Sequence, residues 1–547
     1  MKAQEKAQEA AQEPREEPRE EPQGEPQEKA QKKNQDPKAT RLLRYALNLG
    51  GEHPSKLWST PDGEAFMDAW DQERERWVSF PVRSTLCRDH MIRASVGAEG
   101  VTAGAGPLGE AVETLDALAR KPDAPVREVH LRVAWSPDAV HLDMAQDGRM
   151  IRVDAWGWRI VEELPQDPPI RFRRNWKSEP LPEPVKAHGA GWEALREILG
   201  DPSPESFALL VGWLLGTLSG GPFPILALTG EQGAGKSTVA KLLASVVDPY
   251  ALQLRNPPRE SRDLAAAVRS SHVLAFDNLS SLPGWLSDDL ARISVEGGFS
   301  ARQLYTDGEE SVIRARRPIV LTSIPTTIAR GDLADRALAV ELPPIPDGRR
   351  LAAREVDDRI QKARPLILGD LLDAAAKALR HLPETDRTGW PRMADFAQWV
   401  DAAEIGGALP WERGLFARAY GENRATMAAT ILEGDDVSEA LLDFAYAHPD
   451  WQGNTTRMRK DLTAWSFRKG ENPPRDWPRS SHQMRDRLKR AEPVLRAHGV
   501  EVVEIRKRDR TKGFRFTEPP QELDTTAWAR NGAQPHTPAL TPTEAGR

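Results

Sequence analysis

The chain has 547 residues, 39% of them hydrophobic and 29% charged, with a formal net charge of −7. That length allows two to four domains, and the balance fits packed cores in water and excludes a mainly membrane-embedded chain. A single cysteine, Cys87, excludes an internal disulfide and any cysteine-based metal cluster.

Residues 1–40 are rich in Gln, Glu, Lys and Pro, with Pro14, Pro18, Pro22 and Pro26 at four-residue spacing. Such a segment buries little apolar surface, so a disordered tail is expected. It holds no leader-like apolar run, and the cytoplasm is the expected compartment. Residues 41–190 read as an α+β domain of unassigned role. Val126–Trp135 alternates at period two, as do Val140–Met144 and Met150–Asp154 around an Asp147–Gly148 turn. That pattern predicts antiparallel strands with a hairpin. Asp143 and Asp154 are a candidate carboxylate pair of the kind a nucleotide-polymerising site needs. No tight acid-x-acid motif accompanies them, and a structural or substrate-guiding role is the simpler expectation. Leu181–Lys186, with two prolines, reads as a linker. Ser206–Ser219 is the longest apolar run, too short and glycine-broken to span a bilayer. It predicts a helix buried under a sheet.

Residues 191–350 carry the strongest signal. Phe223–Leu228 is an apolar strand, and Gly230, Glu231, Gln232, Gly233, Ala234, Gly235, Lys236, Ser237 and Thr238 follow it. Val239–Val247 is helix-forming. This is G-x-x-x-x-G-K-[ST] in the strand–loop–helix context it requires. The glycines let backbone N–H groups converge on an anion, and the helix start adds a positive dipole end. Lys236 is then assigned to the β and γ phosphates of ATP and Ser237 to Mg²⁺. His272–Asp277, four apolar residues ending in an acid 41 residues after Lys236, predicts a second strand. Its Asp277 would hold Mg²⁺ opposite Ser237. Asn278 stands where a second acid usually polarises water; Asn orients water but takes no proton. Glu231 and Glu296 are the alternative carboxylates. Arg317–Ile324 predicts a third buried strand, with Thr322 and Ser323 as polar sensors at its end. Arg330 and Arg336 follow, and Arg336 is the preferred arginine finger between subunits, a local ion pair to Asp332 or Asp335 being the alternative.

The order phosphate loop, acidic strand, sensor strand and arginine resembles the AAA+ class. It is most similar to the superfamily 3 helicases and helicase-like ATPases of phages and integrative mobile elements. Trp285–Asp307 and Leu333–Arg336 strengthen the likeness, which covers roughly residues 191–517. The resemblance implies an α/β P-loop AAA+ ATPase core, a hexameric or other homo-oligomeric ring, ATP-driven movement on DNA and a part in replicating a mobile element. It also implies a pore hairpin before the sensor strand, for which Gln303–Arg314 is the candidate. The hairpin's tip is acidic (Asp307, Glu309, Glu310), so Arg302, Arg314, Arg316 and Arg317 at its base are the better DNA contacts.

Residues 351–435 read as a helical lid or bundle, with Leu366–Leu379 and Trp411–Leu432 at helical spacing. Residues 436–517 form a basic module, and Trp451–Phe516 holds eighteen Lys and Arg against eight Asp and Glu. Arg457–Trp465 and a helix starting at Ser480 or Ser481 precede a hairpin around Arg506–Lys512. Helix, helix and basic hairpin predict a winged helix. Arg485, Arg487, Lys489 and Arg490 would lie on its recognition helix, and Arg506, Lys507, Arg508, Arg510 and Lys512 on its wing. A row of Arg and Lys favours phosphate contact over base reading, and Gln483 alone supports the latter. Residues 518–547 read as a second disordered tail. The expected activity is ATP-dependent translocation on single-stranded or forked DNA. The alternatives are an ATP-gated DNA-binding switch and a protein-remodelling ATPase; the N-terminal domain holds no primase motif.

Overall fold

The computed structural model describes residues 36–517 apart from 74, 146–147, 162–169, 296, 303–309, 324–332, 334–335, 347, 349, 386–389, 391, 434–435, 469–470, 475–476 and 507–511. Both expected tails lie almost wholly outside these residues, although α1 (Lys38–Ala46) already occupies the end of the first. It is followed by an antiparallel sheet of β1 (Lys56–Ser59), β2 (Ala65–Asp71) and β3 (Arg76–Pro81), then α2 (Thr85–Glu99) and α3 (Ala105–Ala119). Ser84 caps α2 by accepting the Cys87 N–H at 3.2 Å. Cys87 is fully buried, and burial pushes its thiol up to about 12, which makes it unreactive. The sequence reading assigned none of these elements. β2 is buried at five consecutive positions, so it shows no alternation.

The second sheet is an antiparallel meander of β4 (Val133–Ser136), β5 (Ala139–Asp143), β6 (Met150–Asp154) and β7 (Gly157–Val161). β6 matches its expected bounds. The expected strand Val126–Trp135 does not form; only its end joins β4. Arg132, 1% exposed, turns inward there to meet Asp248 at 3.0 Å and to donate to the Asp143, Glu179 and Pro249 carbonyls. Nor do Asp143 and Asp154 form a carboxylate pair. Asp143 faces Met150 in register and Asp154 faces Ala139, so four residues of strand, roughly 13 Å, separate them. Asp143 is held by Arg174 at 2.9 Å and Asp154 by Arg159 at 3.4 Å. The boundary expected near 190 is not a break in the core: Val140, Leu142 and Ile151 share one apolar cluster with Trp213, Leu228 and Leu243.

Next come α4 (Ala190–Ile198), α5 (Pro204–Gly216), β8 (Ile225–Thr229), α6 (Lys236–Val247), α7 (Ser261–Ser270), β9 (Leu274–Leu279) and α8 (Gly284–Val295). β10 (Gly297–Arg302) and β11 (Glu310–Ala315) pair antiparallel, and β12 (Ile319–Ser323) and β13 (Ala337–Glu341) complete the main sheet. That sheet runs β13-β8-β12-β9, all parallel, and is nearly all apolar because helices cover it. Beneath it α5 is buried at every residue from Phe207 to Gly216, as expected. Its Gly212 and Gly216 admit the rings of Phe416 and Phe396, which would lie 2.6 Å from a Cβ at either position.

α9 (Ala353–His381) is longer than the pattern predicted and packs against α4 and α10 (Ala394–Ile405), while α11 (Leu415–Glu433) packs on α5 and β13. Asp370 of α9 accepts three N–H groups, from Gly189, Gly191 and Trp192, at the start of α4. Arg364 donates to the Ser245 carbonyl of α6 at 2.8 Å, fixing the helix that follows the glycine-rich loop. The Asn423 amide bonds both the N–H and the carbonyl of Ala339, covering the sheet edge at β13.

The last module runs α12 (Asp436–Ala447), β14 (Gln452–Gly453), α13 (Thr455–Ser466), α14 (Ser481–Ala497), β15 (Glu501–Arg506) and β16 (Lys512–Thr517). Its sheet order is β14-β16-β15, and its core joins Leu441, Phe444, Met458, Met484, Leu488 and Phe514. α12 and β14 were not foreseen. No described helix is long and apolar enough to cross a membrane.

Candidate nucleotide site and nucleic-acid interface

Because β8, β12 and β9 are parallel neighbours, their carboxyl ends bring the glycine-rich loop, Thr322 and Asp277 to one edge of the sheet. Open parallel sheets bind ligands at that edge. Gly230, Gly233 and Gly235 hold φ of +136°, +88° and +77°, values that other residues rarely adopt. The segment leaving β13 lies against the same loop. A Cβ on Gly230 would sit 2.5 Å from the Leu342 carbonyl, and one on Gly235 would sit 3.3 Å from the Ile345 side chain. The Arg350 guanidinium lies 3.2 Å from the corresponding point on Gly233. Arg350 and Ile345 escaped the sequence reading; the Pro-rich Leu342–Arg350 run was the available signal.

Lys236 Nζ donates to the Gly230 and Glu231 carbonyls, each at 2.8 Å, which keeps the ammonium against the loop. Ser237 Oγ donates to Asp277 Oδ1 at 2.8 Å. Thr322 Oγ1 donates to the same oxygen at 2.5 Å and accepts the Asn278 N–H at 2.8 Å. A hydroxyl and a carboxylate are hard oxygen donors that suit Mg²⁺. Among the described residues no group of three His, Cys, Asp or Glu could hold a metal, so a cation placed between Ser237 and Asp277 would need its other ligands from water and phosphates. Gln232 is exposed beside Glu231 and Gly233, Ala234 is buried under the loop, and Thr238 is half-buried in the first turn of α6.

Asn278 is exposed and holds φ +59°, a left-handed conformation that Asn tolerates. Ser323 is 3% exposed, and its hydroxyl finds no partner among the described residues. Glu231 is exposed; Glu296 and Arg330 lie outside the described residues. The Arg336 carbonyl accepts the Ile225 N–H, which places Arg336 beside the start of β8. Five residues of strand, roughly 16 Å, then separate it from its own loop. Its guanidinium donates to the Ala291 carbonyl at 2.7 Å.

The expected hairpin forms as β10 and β11, beginning earlier than Gln303; its tip at Asp307–Glu309 lies outside the described residues. Arg302 stands opposite Glu310, and Arg314 opposite Gly298. Arg316 and Arg317 are not the DNA contacts expected of them. Both are half-buried and bonded to the Gly220 and Val268 carbonyls, and burial pulls Arg317 down to about 10.

In the basic module, α14 buries Met484, Leu488, Ala491 and Leu495. Lys489 and Arg490 are exposed on it, and Arg487 is half-buried. Arg485 instead turns toward Glu504 of β15 at 3.4 Å. The Gln483 side-chain oxygen is taken up locally. It accepts the Arg479 and Ser480 N–H groups while the Ser480 hydroxyl accepts the Gln483 N–H, a reciprocal helix cap. Arg506 ends β15 and Lys512 opens β16; Lys507, Arg508 and Arg510 lie outside the described residues.

Residues 195–413 match the family described as actinomycete integrative conjugative element replication protein, and residues 437–530 match the AICE RepA C-terminal domain. No curated protein matches the chain. Among solved structures, the chain is similar to the active helicase Cch of SCCmec type IV at 15% identity and a TM-score of 0.44, covering 85% of this chain and 92% of that one. It is also similar to the apo C-terminal region of NrS-1 at 11% identity and a TM-score of 0.37, covering 88% and 99%.

Proposed function

We propose that this chain, which matches a mobile-element replication protein over two segments, is an ATP-dependent DNA helicase or translocase of the AAA+ class that acts in replicating such an element. The observation that carries the reading is the convergence of Ser237 and Thr322 on one oxygen of Asp277 beside the glycine-rich loop. The strand order β13-β8-β12-β9 supports it, because the sensor strand stands between loop strand and acidic strand as that class requires. The C-terminal order of helices and strands, with β16 between β14 and β15, supports a winged helix.

In this reading the loop N–H groups and the start of α6 receive the triphosphate of ATP, and Lys236 leaves its two carbonyls for the β and γ oxygens. Bound Mg²⁺ would neutralise charge developing between the phosphates, with Ser237 and Asp277 as its protein ligands. Thr322 fixes the Asp277 carboxylate and, through the Asn278 N–H, the strand end beside it. The Asn278 amide orients water without taking its proton. Arg336, too far from its own loop, serves a neighbour's phosphate in a homo-oligomeric ring. Lys489 and Arg490, with the wing, hold DNA phosphates.

Asn278 also favours a second reading, an ATP-gated DNA switch that hydrolyses slowly and does not unwind. Strand displacement of a forked DNA separates the two. Wild-type displacement that disappears in Lys236→Ala and Asp277→Asn supports the helicase. Nucleotide-dependent DNA binding without displacement supports the switch, and normal hydrolysis by Lys236→Ala overturns both.

A further inference from the structure

A cleft of about 440 Å³ opens between the β6–β7 turn and the second half of α9, well away from the phosphate loop. Near its start α9 reaches α6 through Asp357 and Lys241, 3.3 Å apart. The cleft lies twenty residues further along α9, roughly 30 Å. Trp156, at the tip of the turn, is 85% exposed, more than any other large apolar side chain described. The Arg380 guanidinium lies over its indole at 5.2 Å from the ring centre. Its high exposure leaves the rest of the ring to solvent.

The charges around it are unequally engaged. Asp370 is consumed by its three N–H groups. Asp373 is held by Lys186 at 3.2 Å, and Lys186 also lies over Trp158 at 4.8 Å. That leaves Lys377, Arg380 and His188 as the polar groups that face the cleft around Trp156. Lys377 packs its stem on Gly406, where a Cβ would lie 2.6 Å away. An exposed aromatic ring, a cation within cation–π range of it and a second cation nearby together fit a base with its phosphate. The concave shape favours an unpaired base, because in a duplex the bases are stacked inside.

We propose that this cleft is a second nucleic-acid site, in which Trp156 stacks one base of single-stranded DNA and Lys377 and Arg380 hold the neighbouring phosphates. It gives residues 41–190 a role in guiding the strand. The inference rests on the reading of the protein as DNA-binding.

The test is anisotropy of a labelled oligo-dT with the full chain at two salt concentrations. Trp156→Ala should weaken binding about tenfold with an unchanged salt slope, and Trp156→Phe should recover most of it. Arg380→Ala should lower the log–log salt slope by about 0.7. Neither should change basal ATP hydrolysis, and neither should weaken binding to blunt duplex. Wild-type affinity in Trp156→Ala overturns the site while leaving the DNA-binding reading intact. An equal loss on duplex overturns the stacking. A wild-type chain that binds no oligonucleotide removes the site and the broader reading together.

Discussion

Replacing Thr322 by Val keeps the shape of a side chain that is 1% exposed while removing both of its hydrogen bonds. The bond to Asp277 is charge-assisted, worth about 1.5–3 kcal/mol. The bond from Asn278 is replaced in part by water, because Asn278 is exposed. The expected stability loss is therefore about 2 kcal/mol, read as a lower urea midpoint. Freed on one side, Asp277 no longer sits fixed against Ser237, and kcat for ATP should fall about 10–100-fold. Lys236 and the loop amides are untouched, so KM should stay within about threefold. Thr322→Ser keeps the hydroxyl and should restore most of kcat. A Thr322→Val protein that turns over at the wild-type rate, or a Ser variant as slow as the Val variant, would refute this role for the Thr322 hydroxyl.

Three further expectations concern packing, pH and charge. Gly212→Ala would press a methyl into the Phe416 ring and should cost about 1–3 kcal/mol, measured by chemical unfolding; an unchanged midpoint would contradict the packing of α5 on α11. Burial pulls His272 down to about 4 among Asp248, Arg317, Arg132 and the Thr217 carbonyl. The unfolded chain therefore binds the extra proton below its ordinary pKa of about 6.5, and stability drains away between there and pH 4. The loss should be about 2 kcal/mol at pH 5, and His272→Gln should flatten it. Lys489→Ala with Arg490→Ala should weaken DNA binding similarly for all sequences and reduce the salt slope by about 0.7–0.9 per residue; a sequence-selective loss would mean base reading instead.

The nucleotide site was legible because its chemistry is local. Gly230, Gly235, Lys236 and Ser237 are read within eight residues, and an apolar run ending in an acid marks Asp277. Long-range partners were not legible. The Pro-rich run that ends at Arg350 marks a loop without saying that it lies over Gly233, and the tie between Thr322 and Asp277 spans 45 residues. The carboxylate pair at Asp143 and Asp154 failed on register, which alternation alone does not fix. Arg316 and Arg317 read as surface charge, yet their carbonyl partners at Gly220 and Val268 come from distant loops and helices. Strand β2 hid because burial at five consecutive positions erases period two, and β1 is too short, at four residues, to show a period. Gln483 offers only thin support for base reading from sequence, and the cap expected at Ser480 or Ser481 forms at Ser480 with the Gln483 side-chain oxygen as its reciprocal acceptor.

The central claim is that nucleotide hydrolysis at this loop is coupled to DNA. The direct measurement is the steady-state ATPase rate with and without single-stranded and forked DNA, at two salt concentrations. The account predicts strong stimulation that fades as salt rises and is lost in Lys236→Ala. A measurable rate indifferent to DNA at either salt would contradict it and turn the reading toward a protein-remodelling ATPase.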